Sequence, residues 1–239
     1  MKAFSRNVPP RALDPAGVAL VDKPSGPSSF AVVAQIRRVT GARTGHAGTL
    51  DPFATGLLLV LSGRATKLAP CVVGLDKRYL TEIDLSCRTS TGDPEGEVVE
   101  RNAPPLDDEL SKRLERLRGE IELPIPAASA VKIGGERAYK LARRGVEVEM
   151  PTRRSTVHAL DVIAYRGGRV TLDLLVSSGT YVRSLAIALG GHCATLRRTQ
   201  VGPFSIVDAV APEAFGAERL LPEAEVLARV EAVRAASRP

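Results

Sequence analysis

The interpretation of this chain depends on one stretch near its N-terminus: Gly45-His46-Ala47-Gly48-Thr49-Leu50-Asp51-Pro52-Phe53-Ala54-Thr55-Gly56. Its glycines allow the backbone to turn tightly and to approach a ligand closely. A phosphate-binding loop would end in Gly-Lys-Ser/Thr, and a dinucleotide loop would show Gly-x-Gly-x-x-Gly after a strand; this stretch does neither. It is therefore predicted to be a loop that displays two chemically capable side chains, His46 and Asp51.

Both side chains also have ordinary interpretations. Asp51 precedes Pro52, which biases its backbone toward extended conformations, and Asp-Pro is a common turn signal. His46 is equally consistent with a hydrogen-bonded loop histidine. His158 and His192 lack partners at ligand spacing, so no metal site is predicted. From the loop alone, a structural and a functional role both stay open.

Composition sets the general class of the protein. The chain has 239 residues, 44% hydrophobic and 25% charged, which is typical of a globular protein with one large domain or two small ones. The longest apolar run, residues 57–61, is far shorter than a membrane span, and the N-terminus lacks a signal-peptide pattern. Three widely spaced cysteines predict no disulfide framework. We expect a reduced, cytoplasmic protein with no membrane partner.

Positive charge is concentrated in one segment. The whole chain carries a formal charge of +6. Residues 132–154 hold seven basic and three acidic side chains, so most of that excess lies there. Such a segment either binds the phosphates of a polyanion or forms a solvated surface element. The basic side chains are Lys132, Arg137, Lys140, Arg143, Arg144, Arg153 and Arg154.

Hydrophobic periodicity predicts a mixture of strands and helices. Strands are expected at residues 17–21, 57–61, 79–87 and 170–176, with residues 41–56 as a loop. Helices are expected from Ser28 or Ser29 to Gly41 and at 106–118, 180–189 and from 222 onward. The order shows no regular βαβ alternation, which favours an α+β fold.

Three of these elements have a predicted buried face. Tyr79 lies on the apolar face of its strand, with Thr81 as a polar exception. The helix at 106–118 has an apolar stripe formed by Leu106, Leu110, Leu114 and Leu117. The C-terminal helix has a shorter stripe formed by Leu227, Val230 and Val233.

The 45–56 stretch closely resembles the catalytic motif of the bacterial tRNA pseudouridine-55 synthases of the TruB type. Four further stretches resemble motifs of that family, in the family's order, between about Val18 and Phe204. They are Lys23-Pro24-x-Gly26, Lys77-x-Tyr79, Ser178-Gly179-Thr180-Tyr181-Val182-Arg183-Ser184-Leu185 and Leu196-Arg197-Arg198-Thr199-x-Val201-Gly202-x-Phe204.

The resemblance implies a fold and a domain plan. The fold is the pseudouridine synthase catalytic fold, a mixed and mostly antiparallel sheet flanked by helices, with an inserted basic thumb loop. We expect a flexible arm at 1–16, a catalytic domain at 17–210 with its thumb at about 124–155, and a short helical tail at 211–239 without a full C-terminal RNA-binding domain. Tyr139 to Gly145 resembles the helical part of the thumb. Ala128 stands where the family usually has an aromatic residue.

The resemblance also implies an activity: isomerisation of uridine 55 in the tRNA T-loop to pseudouridine, without a cofactor. Asp51 would be the catalytic group, which attacks the sugar, attacks the base or abstracts a proton. Arg183, at the start of a helix, would keep a buried carboxylate ionised. Its place there is unfavourable for a cation unless an anion lies nearby, although an ordinary surface arginine is the simpler interpretation.

Other residues receive roles from the same resemblance. Tyr79, otherwise a core tyrosine, would stack on the target base, and Tyr181 would line the pocket. His46 would fill the space that the flipped-out nucleotide leaves. Lower-ranked candidates for positioning or binding the substrate are Lys23, Asp93, Lys132, Arg143, Arg144 and Arg154.

Two alternatives remain open beside this prediction. One is a non-catalytic module that binds the T-arm and helps tRNA to fold. The other is a guide-RNA-dependent synthase of the eukaryotic and archaeal type. The expected partner is tRNA, and a monomer without an obligate protein partner is expected.

Overall fold

The computed structural model describes residues 15–129, 131–138, 141, 144, 146 and 148–236. Within these residues the helices are α1 (Ser29–Thr40), α2 (Ala69–Val73), α3 (Asp107–Glu115), α4 (Val182–Ala188) and α5 (Glu223–Ala236). The strands are β1 (Gly17–Lys23), β2 (Thr44–His46), β3 (Thr55–Ser62), β4 (Lys77–Asp84), β5 (Cys87–Thr89), β6 (Val98–Arg101), β7 (Gly119–Pro124), β8 (Lys132–Ile133), β9 (Glu136–Arg137), β10 (Thr152–Arg166), β11 (Arg169–Val176), β12 (His192–Val201) and β13 (Phe204–Ser205).

One large sheet organises the molecule. Its strands run in the order β1-β3-β12-β4-β11-β10-β7, with β2 added to β3 and β13 added to β12. The pairs are antiparallel except for β3 and β12, which run parallel over a short join at Thr55 and Gly56. The α+β fold with a mostly antiparallel sheet is confirmed.

Both faces of β1 and β3 are covered, which explains their continuous apolar sequence. On one face, Leu57 and Leu59 pack in a cluster with Val226 and Val230 of α5. On the other face, Leu58 packs in a cluster with residues of α1. α1 itself begins after the cap Ser28, whose hydroxyl accepts from Ala31 N, and ends at Gly41 with φ +67°, as predicted.

The other half of the sheet is apolar on one face. Alternate residues of β4 and β11 pack in one cluster with residues of α3 and α4. Thr81 is buried among them because its hydroxyl donates to the carbonyl of Thr195 at 2.7 Å. This bond compensates the cost of burying a polar side chain.

Three details of the sequence prediction are wrong. Leu106 precedes α3 and is 81% exposed, so the buried stripe begins at Leu110. In α5 the buried pair is Val226 and Val230, four residues apart on one face, whereas Leu227 and Val233 are each 36% exposed.

The third concerns two segment boundaries. The strand predicted at 79–87 stops at Asp84, since its carboxylate accepts hydrogen bonds from the backbone and hydroxyl of Ser86 and forms a turn. The predicted loop at 41–56 contains the short strand β2, which pairs with β3.

Part of the basic segment forms a hairpin. β8 and β9 pair through a two-residue turn, Gly134-Gly135, in which both residues have positive φ. The predicted arm at 1–16 lies almost wholly outside the described residues, and so do Tyr139, Lys140 and Arg143. Among the helices described, none combines the length and apolar character needed to cross a membrane.

Candidate active site

The loop that carries Asp51, residues 47–54 (the Asp51 loop), is fastened to the start of α1. The hydroxyl of Ser29 donates to the carbonyl of Leu50 at 2.8 Å and accepts from the amide of Leu50 at 2.9 Å. Ser25 donates to the carbonyl of Phe53 at 3.1 Å. These bonds satisfy loop backbone groups that would otherwise lack partners, and they hold the loop in one conformation.

Lys23 also anchors the Asp51 loop. Its side chain is fully buried, and Nζ donates to the carbonyls of Pro24, Pro52 and Ala54 at 2.6–3.0 Å. Burial lowers the pKa of Lys23 to about 8, although the negative charge of Asp51 opposes that change. Lys23 therefore points into the protein, and its ammonium group is occupied by backbone carbonyls of the Asp51 loop and of Pro24.

Arg198 connects the Asp51 loop to β12. It is fully buried, its Nε donates to the carbonyl of Leu57 at 2.7 Å, and its Nη2 donates to the carbonyl of Gly48 at 3.0 Å. One guanidinium thus binds both the loop and β3. Arg198 therefore links the Asp51 loop to the start of β3.

Asp51 and Arg183 form a bidentate pair. Nε and Nη2 of Arg183 donate to the two carboxylate oxygens at 2.9 and 3.2 Å. Arg183 lies in the first turn of α4, as predicted, and only 2% of its side chain is exposed. Its remaining donors reach the carbonyls of Thr91 and Ala128, and its Nη1 lies 3.3 Å from a carboxylate oxygen of Asp93. Two carboxylates therefore surround one buried guanidinium.

The protonation of Asp51 reflects competing effects. Burial raises the pKa of Asp51 above its ordinary value; Arg183 and Lys23 lower it, while the charge of Asp93 raises it. The net direction is upward because desolvation is the largest effect. Asp51 is thus a carboxylate that Arg183 holds in one orientation at the surface of the cleft.

A cleft of about 290 Å³ opens above this pair. Tyr79 of β4, largely buried, and Tyr181, the residue that precedes α4, both line it. The hydroxyl of Ser129 is buried at the cleft wall and has no hydrogen-bond partner in the part of the chain that the structure describes. The cleft is lined by residues 48–51, Val73, Lys77, Tyr79, Ser129, Arg153, residues 178–183, Leu196 and Arg198.

His46 is not among the residues that line the cleft. It lies on β2 with its ring edge-on to Phe30, at a centroid distance of 5.3 Å, and Phe30 is 70% exposed. Burial and the charge of Arg198 lower the pKa of His46, which favours the neutral imidazole. His46 therefore lies outside the cleft, beside an exposed aromatic ring.

The basic thumb candidates that the structure describes also lie outside the cleft. Lys132 is exposed on the hairpin, Arg144 pairs with Glu136 at 2.8 Å, and Arg154 pairs with Glu122 at 3.2 Å. Among the basic thumb residues that the structure describes, Arg153 lines the cleft, and the sequence interpretation did not select it as a site residue. Because side chains alternate along a strand, Arg153 and Arg154 face opposite sides of the sheet.

Lys77 and Ser178 are further cleft residues that were quoted only as parts of motifs. Nζ of Lys77 donates to the carbonyls of Val73 and Leu75 and to the hydroxyl of Ser178. Burial lowers the pKa of Lys77 to about 8. Lys77 lies at an inward-facing position of an alternating strand, which is unusual for a lysine, and this was the signal that could have identified it as a site residue. In the described residues, no group of three His, Cys, Asp or Glu is placed to hold a metal ion.

Comparison with known proteins gives consistent results. Residues 37–182 match the family model described as TruB family pseudouridylate synthase (N terminal domain). The tRNA pseudouridine synthase B of Mycobacterium sp. (strain KMS) is 45% identical over 215 residues, covering 84% of this chain and 72% of that protein. The protein of the same name from Thermobifida fusca (strain YX) is 43% identical over 236 residues, covering 91% and 80%.

Solved structures share the fold. A Cbf5-Nop10-Gar1 complex contains a chain that matches with a TM-score of 0.61 and 29% identity, covering 79% of this chain and 50% of that one. An H/ACA RNP bound to a substrate RNA containing 2'-deoxyuridine matches with a TM-score of 0.62 and 25% identity, covering 84% and 52%. The chain spans about half the length of these two solved chains.

Proposed function

The chain belongs to the TruB family of pseudouridylate synthases, enzymes that isomerise uridine to pseudouridine, and we propose that its substrate is uridine 55 in the T-loop of tRNA and that Asp51 is its catalytic group. The observation that carries this proposal is the bidentate pair of Asp51 and Arg183 at the floor of a cleft that Tyr79 lines.

The reaction needs a charged group more than a cofactor. The N1–C1′ bond of uridine breaks, the base turns, and a C5–C1′ bond forms. A proton leaves C5 and N1 gains one, so product and substrate are isomers and nothing is oxidised. A carboxylate assists either by stabilising positive charge on the sugar or by forming a transient covalent bond. Both routes require Asp51 in its ionised form.

Each neighbour of Asp51 has a proposed part in this step. Arg183 fixes both carboxylate oxygens, so Asp51 needs no reorientation, and no reorganisation energy, when the reaction takes place. Tyr79 offers its ring to the base, and stacking of this kind is worth about 1–3 kcal/mol. Its hydroxyl is the candidate carrier of the proton that leaves C5. Tyr181 lines the same cleft.

A uridine within a folded T-loop must leave its stack to reach Asp51, at a cost of a few kcal/mol. We assign His46 and the exposed Phe30 beside it to the RNA surface that contacts the loop from which the base has been extruded. The thumb would bind phosphates through its exposed cations. We further propose that the protein acts in the cytoplasm on tRNA alone, without a guide RNA or a partner protein.

The test is release of tritium from tRNA that carries [5-³H]uridine, with pseudouridine positions mapped afterwards. Wild-type protein should release tritium at a single T-loop position. Asp51→Asn should lose at least about 10³-fold in kcat, as removal of a central charged group does. Asp173→Asn is the matched control, because Asp173 pairs with Arg78 outside the cleft.

The outcomes separate the alternatives. Equal rates for wild type and Asp51→Asn would remove Asp51 from its role. Saturable tRNA binding without tritium release, even at enzyme excess, would select the non-catalytic folding module. Release that requires a guide RNA and added proteins would select the guide-dependent type.

A further inference from the structure

We propose that Arg153 binds a backbone phosphate of the tRNA at the mouth of the cleft. This proposal rests on the proposed function, since it deepens the description of the same site. It concerns a residue that the sequence interpretation passed over in favour of Arg154.

The register of β10 against β7 separates the two arginines. Arg153 lies opposite Leu123 and Arg154 lies opposite Glu122. Because side chains alternate between the faces of a strand, the two guanidinium groups point to opposite sides of the sheet. Arg153 reaches the cleft, whereas Arg154 pairs with Glu122 and is 88% exposed.

Contact with Gly179 holds Arg153 in this place. A Cβ on Gly179 would lie 2.2 Å from Nη2 and 2.4 Å from Cζ of Arg153, closer than Cβ atoms come to other groups in real structures. The guanidinium therefore rests directly on the backbone of Gly179. That glycine belongs to the turn that leads into α4, the helix that carries Arg183, the partner of Asp51.

The other cationic side chains of the cleft are occupied by groups of the protein, which leaves Arg153 available to bind a ligand. Arg183 is saturated by two carboxylates and two carbonyls, and the donors of Arg198 and Lys77 are directed at the protein's own oxygens. The guanidinium of Arg153 makes no hydrogen bond and no ion pair with any residue that the structure describes. Arg153 is therefore an exposed arginine at the cleft whose side-chain donors are free to bind a ligand.

A phosphate is the ligand that this arrangement fits. A planar guanidinium offers donors in a fork that matches two phosphate oxygens. A nucleotide whose base enters the cleft carries its phosphates outside, at the mouth, where Arg153 lies. A contact of this kind fixes position without reading sequence, and each one adds to the salt dependence of binding.

The experiment compares Arg153→Ala, Arg154→Ala and Arg166→Ala in tritium release from tRNA over a range of salt concentrations. Arg166 ends the same strand and is exposed outside the cleft, which makes it the matched control. We expect Arg153→Ala to raise KM about tenfold, to leave kcat within about twofold, and to reduce the slope of log KM against log salt by about 1. Arg166→Ala should match wild type.

Failure of the proposal differs from failure of the proposed function. If wild-type protein forms no pseudouridine in tRNA, the proposed function fails and the comparison ends there. If wild type is active but Arg153→Ala keeps the wild-type KM and salt slope, or if only Arg154→Ala changes them, the assignment to Arg153 is overturned. Should Arg153→Ala unfold at assay temperature, Arg153→Gln carries the same test, because it keeps most of the side-chain length and loses the charge.

Discussion

Gly56 and Arg198 approach each other so closely that a Cβ on Gly56 would lie 2.3 Å from the carbonyl oxygen of Arg198. Gly56 also has a φ of +103°, which L side chains rarely adopt. The contact occurs where β3 and β12 run parallel, directly after the Asp51 loop. The glycine therefore allows the strand that carries Arg198 to lie against the base of the loop.

Gly56→Ala should lower the free energy of unfolding by about 3 kcal/mol or more, since strained backbone and overpacking add. Gly41→Ala is the matched control, because Gly41 has a φ of +67° but nothing within 4 Å of its missing Cβ. That variant should cost only about 1 kcal/mol. Urea unfolding of both variants checks the difference; equal losses would show that the close approach to Arg198 contributes nothing.

The rate of pseudouridine formation should fall on the acid side through the titration of Asp51. The pKa of Asp51 is raised, chiefly by burial, so its protonated form persists to higher pH than that of an exposed aspartate. Below this pKa, kcat/KM should drop about tenfold per pH unit. In Arg183→Lys, which cannot make the bidentate contact, the midpoint of the acid limb should move to higher pH. A midpoint that stays in place or moves down would contradict the assigned effect of Arg183.

Lys77 should make stability rise in alkaline solution. Its folded-state pKa is about 8 and its ordinary value is 10.5, so between these values the unfolded state binds more protons. Stability attributable to Lys77 therefore increases with pH in this window, by about 3 kcal/mol in total. The measurement is urea unfolding of wild type against Lys77→Met at several pH values from 7 to 10.5. A constant difference between the two proteins would show that the side chain is not desolvated.

Two substitutions of Tyr79 separate its ring from its hydroxyl. Tyr79→Leu removes the stacking surface and should lower kcat/KM by about 10- to 100-fold. Tyr79→Phe keeps the ring, so KM for tRNA should stay near the wild-type value while kcat falls through loss of the proton carrier. If both variants raise KM to the same extent and leave kcat at the wild-type value, the hydroxyl of Tyr79 has no part in the chemistry.

Local patterns predicted those elements whose burial follows a simple period. The cap pair Ser28 and Gly41 delimits α1, and the alternation at residues 170–176 corresponds to β11. Leu106 was wrongly assigned to the buried stripe because the apolar periodicity extends one residue beyond the start of the helix. Leu106 precedes α3, and its side chain faces solvent. The parallel join of β3 and β12 could not be predicted, since it pairs segments about 140 residues apart through backbone contacts that leave no periodic trace.

The candidate site was predictable as a set of residues but not as an arrangement. Motif resemblance selected Asp51, Arg183 and Tyr79, which the structure brings together around one cleft. It did not distinguish Arg153 from Arg154, because both are basic and adjacent, and only strand register decides which one faces the cleft. Nor did it show that Lys23 points into the protein, since burial of a lysine depends on carbonyls supplied by a distant loop.

The pairing of Asp51 with Arg183 joins positions 132 apart in sequence. During synthesis on the ribosome, Asp51 therefore emerges long before Arg183 has been made. An unfinished chain that ends between the two positions lacks the guanidinium that orients this carboxylate. Under the role proposed for Asp51, activity can begin only after both halves of the sheet have been synthesised and have folded together.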